Sequence, residues 1–285
     1  MTSTQPLKFY DISSPLSPRS YAPNPSKARM ALSFKRVPFV TVWTDILDIP
    51  IVRKQLNCPA TRKLDDGSDF CTLPMLEDPN SGKVIGDSFD IANYVEDNFP
   101  PPSQDDDENV GSLFPVKTMG TGLDYESPAK DTVFFAPITT NQGSKNGAYA
   151  RFNLHVDATF SANIAPFAHF MPFNPETADA VKVMMAKRAH LNSWDDLCMP
   201  EEARAPLVEA FKASLESLAK FFQVHDEGPF LEGKGANYAD LIVGGWVNML
   251  FAVMREEEWA EFRGWHGGVF GRLHDALQES YYRTD

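Results

Sequence analysis

Ala22-Pro-Asn24-Pro opens a run in which Ala28, Ala31 and Leu32 recur at helical spacing until Val37-Pro38 ends it. A helix start carries unsatisfied N–H groups and favours negative charge, so the amide between two prolines raises the question of what that terminus holds. Asp87-Ser88 heads a second such run, with Phe89, Ile91, Ala92 and Val95, and both are capping types. His155 and His169 are candidates for proton transfer, although a lone helical histidine is more often a hydrogen-bonded bystander. Gly228 to Lys234 matches most of a phosphate-binding G-x-x-x-x-G-K pattern, but Gly235 stands where Ser or Thr would hold magnesium and Pro229 removes an N–H. It reads as a turn entering a helix at Ala239. Gly120-Thr-Gly122 lacks the third glycine and the strand-to-helix context of a dinucleotide fingerprint.

The elements that must position these residues follow from pattern. LKFYDI, from Leu7 to Ile12, reads as a strand, and FVTVWTDI after the first helix reads as another. CTLPML carries Pro74 within an apolar run, which suits a strand edge, and the turn residues Asp78, Pro79, Asn80 and Gly82 lead to a further short strand. The order is βαβ, then ββα. Periodicity vanishes around Pro100-Pro101-Pro102-Ser103 and the acidic run Asp105 to Glu108, which marks a linker. From Ala150 the chain is predominantly helical, with four long stretches and a last amphipathic one between Trp265 and Tyr282. Asn237 and Asp240 form an N-cap and N3 pair that reads as structural.

Composition excludes several function classes. The 285 residues are 43% hydrophobic and 23% charged, as expected of a folded chain of one large or two ordinary domains. A net charge of −13 argues against unassisted binding to nucleic acid or anionic lipid and favours a small-molecule partner. Cys58, Cys71 and Cys198 lack CxxC spacing, so neither a disulfide framework nor a metal site is indicated. With no apolar stretch of membrane-span length and no secretory pattern in MTSTQPLKFY, a cytoplasmic location is expected.

The βαβ-ββα unit, the proline of TLPML, the acidic-Ser pair of GDSFDIANYV and the later PFLEGKGANYADLIVGG together resemble the glutathione transferase superfamily. APNPSKARMALSFKRVPF looks most like its fungal members whose first helix begins Ser-Pro-Asn followed by Lys or Arg. The resemblance implies a thioredoxin-like N-terminal domain over residues 1–102, a linker and irregular insertion over 103–149, and an all-helical C-terminal domain over 150–285. It also implies glutathione as cofactor and a homodimer.

On that resemblance the γ-glutamyl carboxylate would lie at the helix start near Ser88, with Asp87 meeting the ammonium. Leu73, before a cis Pro74, would pair its backbone with the cysteinyl part. Arg53, Lys54, Arg62 and Lys63 are the candidate cations for the glycyl carboxylate; sequence does not choose between them, and Lys63 stands for them in the expected site. Ala22 occupies the usual serine position, which leaves Asn24 as the catalytic candidate together with backbone N–H groups and the helix dipole. Phe152, Phe160, Phe167 and Phe170 are candidates for the hydrophobic-substrate wall, with Phe152 and Phe160 foremost, although such a ring is more often core than ligand contact.

The implied function is that of a glutathione-dependent enzyme acting on a hydrophobic electrophile in fungal secondary metabolism. It would act by glutathione transfer or by reversible thiol addition giving cis-trans isomerisation. The alternative is a non-catalytic protein that binds glutathione or a hydrophobic ligand on the same fold.

Overall fold

The computed structural model describes residues 5–64, 66–99, 111–115, 145–223 and 227–284. Most of the expected insertion over 103–149, and Gly120-Thr-Gly122, lie outside the described residues.

The first half is built on β1 (Leu7–Ile12), α1 (Pro23–Phe34), β2 (Phe39–Thr44), α2 (Ile49–Gln55), β3 (Arg62–Lys63), β4 (Asp69–Phe70), β5 (Met75–Asp78), β6 (Lys83–Ile85) and α3 (Ser88–Asn98). The four-stranded sheet runs β2-β1-β5-β6. β1 pairs parallel with β2 and antiparallel with β5, so the crossover through α1 is the right length for a parallel pair. β5 and β6 form an antiparallel hairpin, while β3 and β4 make a separate two-stranded ribbon. This is the thioredoxin-like arrangement expected. α2 was not anticipated: it is short and opens on Pro50 after a turn in which the Asp45 carboxylate accepts from the Leu47 N–H at 2.9 Å.

The second half is helical: α4 (Gly147–Asn163), α5 (Ala165–Ala168), α6 (Ala178–Arg188), α7 (Glu201–Ser214), α8 (Glu216–Phe221), α9 (Tyr238–Val253), α10 (Glu256–Phe262) and α11 (Val269–Tyr281). The stretch from Pro200 to Gln223 reads as one helix by pattern but is divided at Leu215. α9 is the central element, apolar on nearly every face and buried as such a helix must be. Its start is the capping box expected, with Asn237 accepting from the Ala239 N–H and Asp240 from the Asn237 N–H, both at 2.8 Å. The Gly228–Gly235 segment is a turn closed by a bridge between Phe230 and Gly233.

Gly244 and Gly245 set how closely the two halves meet. A Cβ on Gly245 would stand 2.6 Å from the Pro23 carbonyl oxygen, and one on Gly244 would stand 2.2 Å from Leu277 Cδ1. α9 therefore lies directly against the start of α1 and against α11. Phe9, Met30, Phe89, Phe152, Phe160 and Leu241 belong to the continuous core that joins sheet and helices.

Candidate functional site

A cavity of about 200 Å³ lies between the start of α1, the Phe70–Leu73 segment, the α4–α6 helices and α9. Its wall is predominantly apolar, with Ile46, Phe70, Ile164, Met171, Phe173 and Trp246 among the contributors. Such a wall with few polar groups is the usual character of a small-molecule site.

Ala22 is the N-cap of α1 and makes no side-chain capping bond. Pro23 and Pro25 carry no N–H, and the Ser26 N–H is spent on the Ala22 carbonyl at 3.1 Å. The terminus thus presents the N–H groups of Ala22 and Asn24 only, far fewer donors than an ordinary helix start. Asn24 adds its amide. Its Oδ1 accepts from Lys27 Nζ at 3.0 Å, an orientation that leaves the Nδ2 donors unspent among the described residues.

Lys27 is itself fully buried and donates to Asn153 Oδ1 at 2.8 Å and to the Asp157 carboxylate. Asp157 also accepts from Trp246 Nε1 at 2.7 Å and from Asn153 Nδ2 at 3.2 Å, and it lines the cavity. Burial pulls the Lys27 ammonium below the usual lysine value, and Asp157 opposes that pull. Residues from α4 and α9 therefore hold the Asn24 side chain in place. Tyr21, just before the cap, is a wall residue that the sequence reading passed over. Its hydroxyl makes no hydrogen bond among the described residues, and burial raises its phenol well above the ordinary value, so it remains a donor.

The Leu73–Pro74 bond is cis, and Leu73 lies two residues beyond Tyr10–Met75, the last pair of the β1–β5 ladder. Thr72 and Leu73 line the cavity just ahead of β5; the Thr72 carbonyl is taken by Arg53, while the Leu73 backbone makes no hydrogen bond among the described residues and so suits pairing with a peptide backbone. Asp87 caps α3, its Oδ1 accepting from the Phe89 N–H at 2.8 Å, while Ser88 is buried and its carbonyl accepts from Tyr238 at 3.1 Å. Neither lines the cavity directly; Arg62 does, and its guanidinium stands 3.7 Å from Asp87.

The structure separates the four candidate cations. Lys63 is exposed and pairs with Asp69 at 2.5 Å, and Lys54 is exposed as well; neither lines the cavity. Arg53 is only 1% exposed and is consumed by carbonyls, donating to Thr72 at 2.5 Å and Pro59 at 2.6 Å. Of the four only Arg62 lines the cavity, not Lys63, because the two alternate along a strand and only Arg62 turns inward.

The aromatic wall is corrected likewise. Phe152 and Phe160 are fully buried in the core, Phe160 stacked on Trp246 at 5.4 Å, and neither reaches the cavity. Phe167 is core as well, and Phe170 is 46% exposed. The face of α4 that carries Phe160 is covered by Phe211 of α7 and Trp246 of α9, and the aromatic wall of the cavity comes instead from Phe70, Phe173 and Trp246. His155 and His169 do not line the cavity, and burial lowers the His155 value.

A glutathione S-transferase N-terminal domain model matches residues 21–98, and the corresponding C-terminal domain model matches residues 188–281. The chain belongs to the glutathione S-transferase superfamily. Within the superfamily, it is 32% identical over 111 residues to the glutathione S-transferase-like protein ustS of Aspergillus flavus. That match spans 36% of this chain and 39% of the relative. Among solved glutathione S-transferases, CsGST63524 of Ceriporiopsis subvermispora, crystallised in complex with glutathione, superposes with a TM-score of 0.76 at 24% identity, over 97% of this chain and 98% of that one. CsGST83044 of the same organism, also in complex with glutathione, gives 0.74 at 23% identity over 97% and 100%. GSTFuA3 of Phanerochaete chrysosporium gives 0.69 at 22% identity over 99% and 100%. At these identities the likeness shows the fold. No helix among the described residues is long and apolar enough to cross a membrane.

Proposed function

We propose that the chain is a glutathione-dependent enzyme that acts on a hydrophobic electrophile, either by transferring glutathione or by adding its thiol reversibly to a conjugated alkene. The observation that carries this is the set of polar groups at one apolar cavity: the backbone of Leu73, the Arg62 cation with the Asp87 carboxylate behind it, and the oriented Asn24 amide. That set fits a short peptide with an ammonium, two carboxylates and a thiol. Two glutathione complexes of the same fold support the choice of peptide.

Bound glutathione supplies a thiol nucleophile. Leu73 would hold the cysteinyl backbone as a strand edge does, Asp87 the γ-glutamyl ammonium, and Arg62 a carboxylate. The Asn24 amide, the N–H groups at the head of α1 and the Tyr21 hydroxyl would lower the energy of the thiolate by donating to sulfur. With Ala22 in place of a hydroxyl residue, that activation is weaker than a serine would give, which suits an already reactive electrophile. A pathway metabolite of secondary metabolism with a conjugated double bond is such an electrophile. The reading carries a homodimer, to be checked by sedimentation.

Calorimetric titration with glutathione, followed by chromatography and mass spectrometry of a conjugated-alkene panel, tests the proposal. Binding with an added glutathione mass means transfer, and binding with a new geometric isomer of unchanged mass means reversible addition. Binding without turnover across alkenes, aryl halides and peroxides would leave a non-catalytic glutathione-binding protein, and absence of binding at millimolar glutathione would sink the reading altogether.

A further inference from the structure

Arg188, the last residue of α6, reaches back across the cavity to the N-terminal half, its Cζ 4.9 Å above the Phe70 ring. Three charged side chains line the cavity: Arg62, Asp157 and Arg188. Arg62 faces the Asp87 carboxylate and Asp157 is matched by the buried Lys27 ammonium. Arg188 forms no ion pair and no hydrogen bond among the described residues, although the chain has 39 acidic residues against 26 basic ones. The cavity therefore holds one cation in surplus.

The surroundings of that cation make the surplus informative. Arg188 is half-buried, with the Phe70 ring beneath it and Met185 of the same helix also on the cavity wall, and its solvation is correspondingly reduced. An arginine does not relieve this by losing its proton, since its charge persists at any physiological pH. A guanidinium kept partly out of water without a counter-ion is costly unless a ligand completes it, and its planar fork matches a carboxylate in two parallel hydrogen bonds.

We infer that Arg188 is a carboxylate-recognition residue, and that the second substrate is a hydrophobic carboxylic acid whose apolar body lies along Phe173, Met171 and Trp246. The identification of that acid as an electrophile rests on the proposed function; its binding to Arg188 does not. The same chemistry has a second source, the glycyl carboxylate of glutathione. Arg188 comes from the helical half and stands among the apolar side chains, whereas Arg62, in β3, adjoins Asp87 at the γ-glutamyl end; the glutathione arm of the test separates the two sources of carboxylate.

The test uses 3-(2-naphthyl)acrylic acid and its methyl ester, two conjugated alkenes of nearly equal shape, titrated by their fluorescence into the wild-type chain, Arg188→Gln and Arg188→Lys, with and without glutathione. The acid is expected to bind the wild type about tenfold more tightly than the ester, as a charge-assisted bidentate contact implies. Arg188→Gln is expected to bring the two within about twofold and Arg188→Lys to fall between, because lysine keeps the charge but not the fork. The glutathione affinity of Arg188→Gln should stay within about twofold of the wild type, as it must if the guanidinium does not serve the tripeptide. Equal binding of acid and ester to the wild type, no binding of the acid, or a preference that survives in Arg188→Gln overturns the inference. A loss of glutathione affinity with the acid preference intact also overturns it and assigns Arg188 to the glycyl carboxylate. Thermal melting of each variant checks folding, and Arg188→Lys, which keeps stem and charge, reads the fork if the glutamine variant does not fold. Failure of the wild type to bind glutathione would count against the proposed function and leave the acid-to-ester ratio as its own result.

Discussion

Two helices begin at the site, and their first turns are built in opposite ways. α3 has an anionic cap: Asp87 accepts from the Phe89 N–H at 2.8 Å, so part of its donor set is already satisfied inside the protein. α1 has Ala22 as cap and prolines at Pro23 and Pro25, and its remaining N–H groups take no partner from the chain's own side chains. One terminus is made stable by its own cap. The other gives up that stability, and what it offers a ligand is set by a side chain, Asn24, that residues of α4 and α9 hold through Lys27. The contrast predicts that changes near α3 and changes near α1 separate into binding and rate effects.

The largest effect should come from the network that holds α1. Asp157→Ala removes the counter-ion of a fully buried lysine and leaves Trp246 Nε1 without its acceptor. Breaking a buried pair from one side costs about 3–5 kcal/mol, and urea denaturation should register a loss of that order. A loss below about 1 kcal/mol would mean that Lys27 sheds its proton or finds water, and that α1 is not held as described.

Next is Asp87→Asn, which separates capping from charge at α3. Asparagine caps about as well as aspartate, so stability should change by no more than about 0.5 kcal/mol. Glutathione affinity should fall about tenfold, since the γ-glutamyl ammonium loses its carboxylate. If calorimetry shows unchanged affinity while Asp87→Ala loses about 1 kcal/mol of stability, Asp87 is a cap and nothing more.

How much of this was readable beforehand differs between the two termini for the same physical reason. The cap at Asp87, the capping box at Asn237 and Asp240 and the β5–β6 hairpin rest on contacts between near neighbours in sequence, and local pattern reports those. The hold on Asn24 depends on Asp157 meeting Lys27 across 130 positions of sequence, and no spacing rule reaches that far. Phe152 and Phe160 were read as wall for the same want of tertiary information: a ring on a helix says that one face is apolar, not which neighbour covers it. Alternation along β3 is a signal that could have separated Arg62 from Lys63, had the two-residue strand been recognised. For Arg188 nothing local distinguishes it from Lys187, since the Phe70 ring beneath it comes from the other half of the chain.

At α1 itself the variants should change rate more than binding. Ala22→Ser places a hydroxyl at the cap and should raise kcat about tenfold, a usual yield for one added donor to a developing anion, whereas Asn24→Ala should lower it by a similar factor. Glutathione affinity in both should change little. Unchanged rates in both variants, measured on whichever conjugated alkene the panel identifies, would remove the head of α1 from the mechanism and make the two termini alike in being structural.

Tyr21→Phe is the smallest and most discriminating change, because it deletes one oxygen from the wall and nothing from the core. The Tyr21 hydroxyl has no partner to leave orphaned among the described residues, so thermal stability should hold to within about 0.5 kcal/mol. Its phenol is held protonated by burial, so it can act on a thiolate only by donating, and its removal should show as a rise in the apparent pKa of bound thiol, read from the rate against pH. A rate loss of about threefold to tenfold with that shift would place a second donor at the sulfur and explain how the terminus functions with alanine as its cap. A loss of rate without any shift would mean that Tyr21 shapes the cavity for the electrophile, and Asn24 would then stand alone as the side-chain donor of α1.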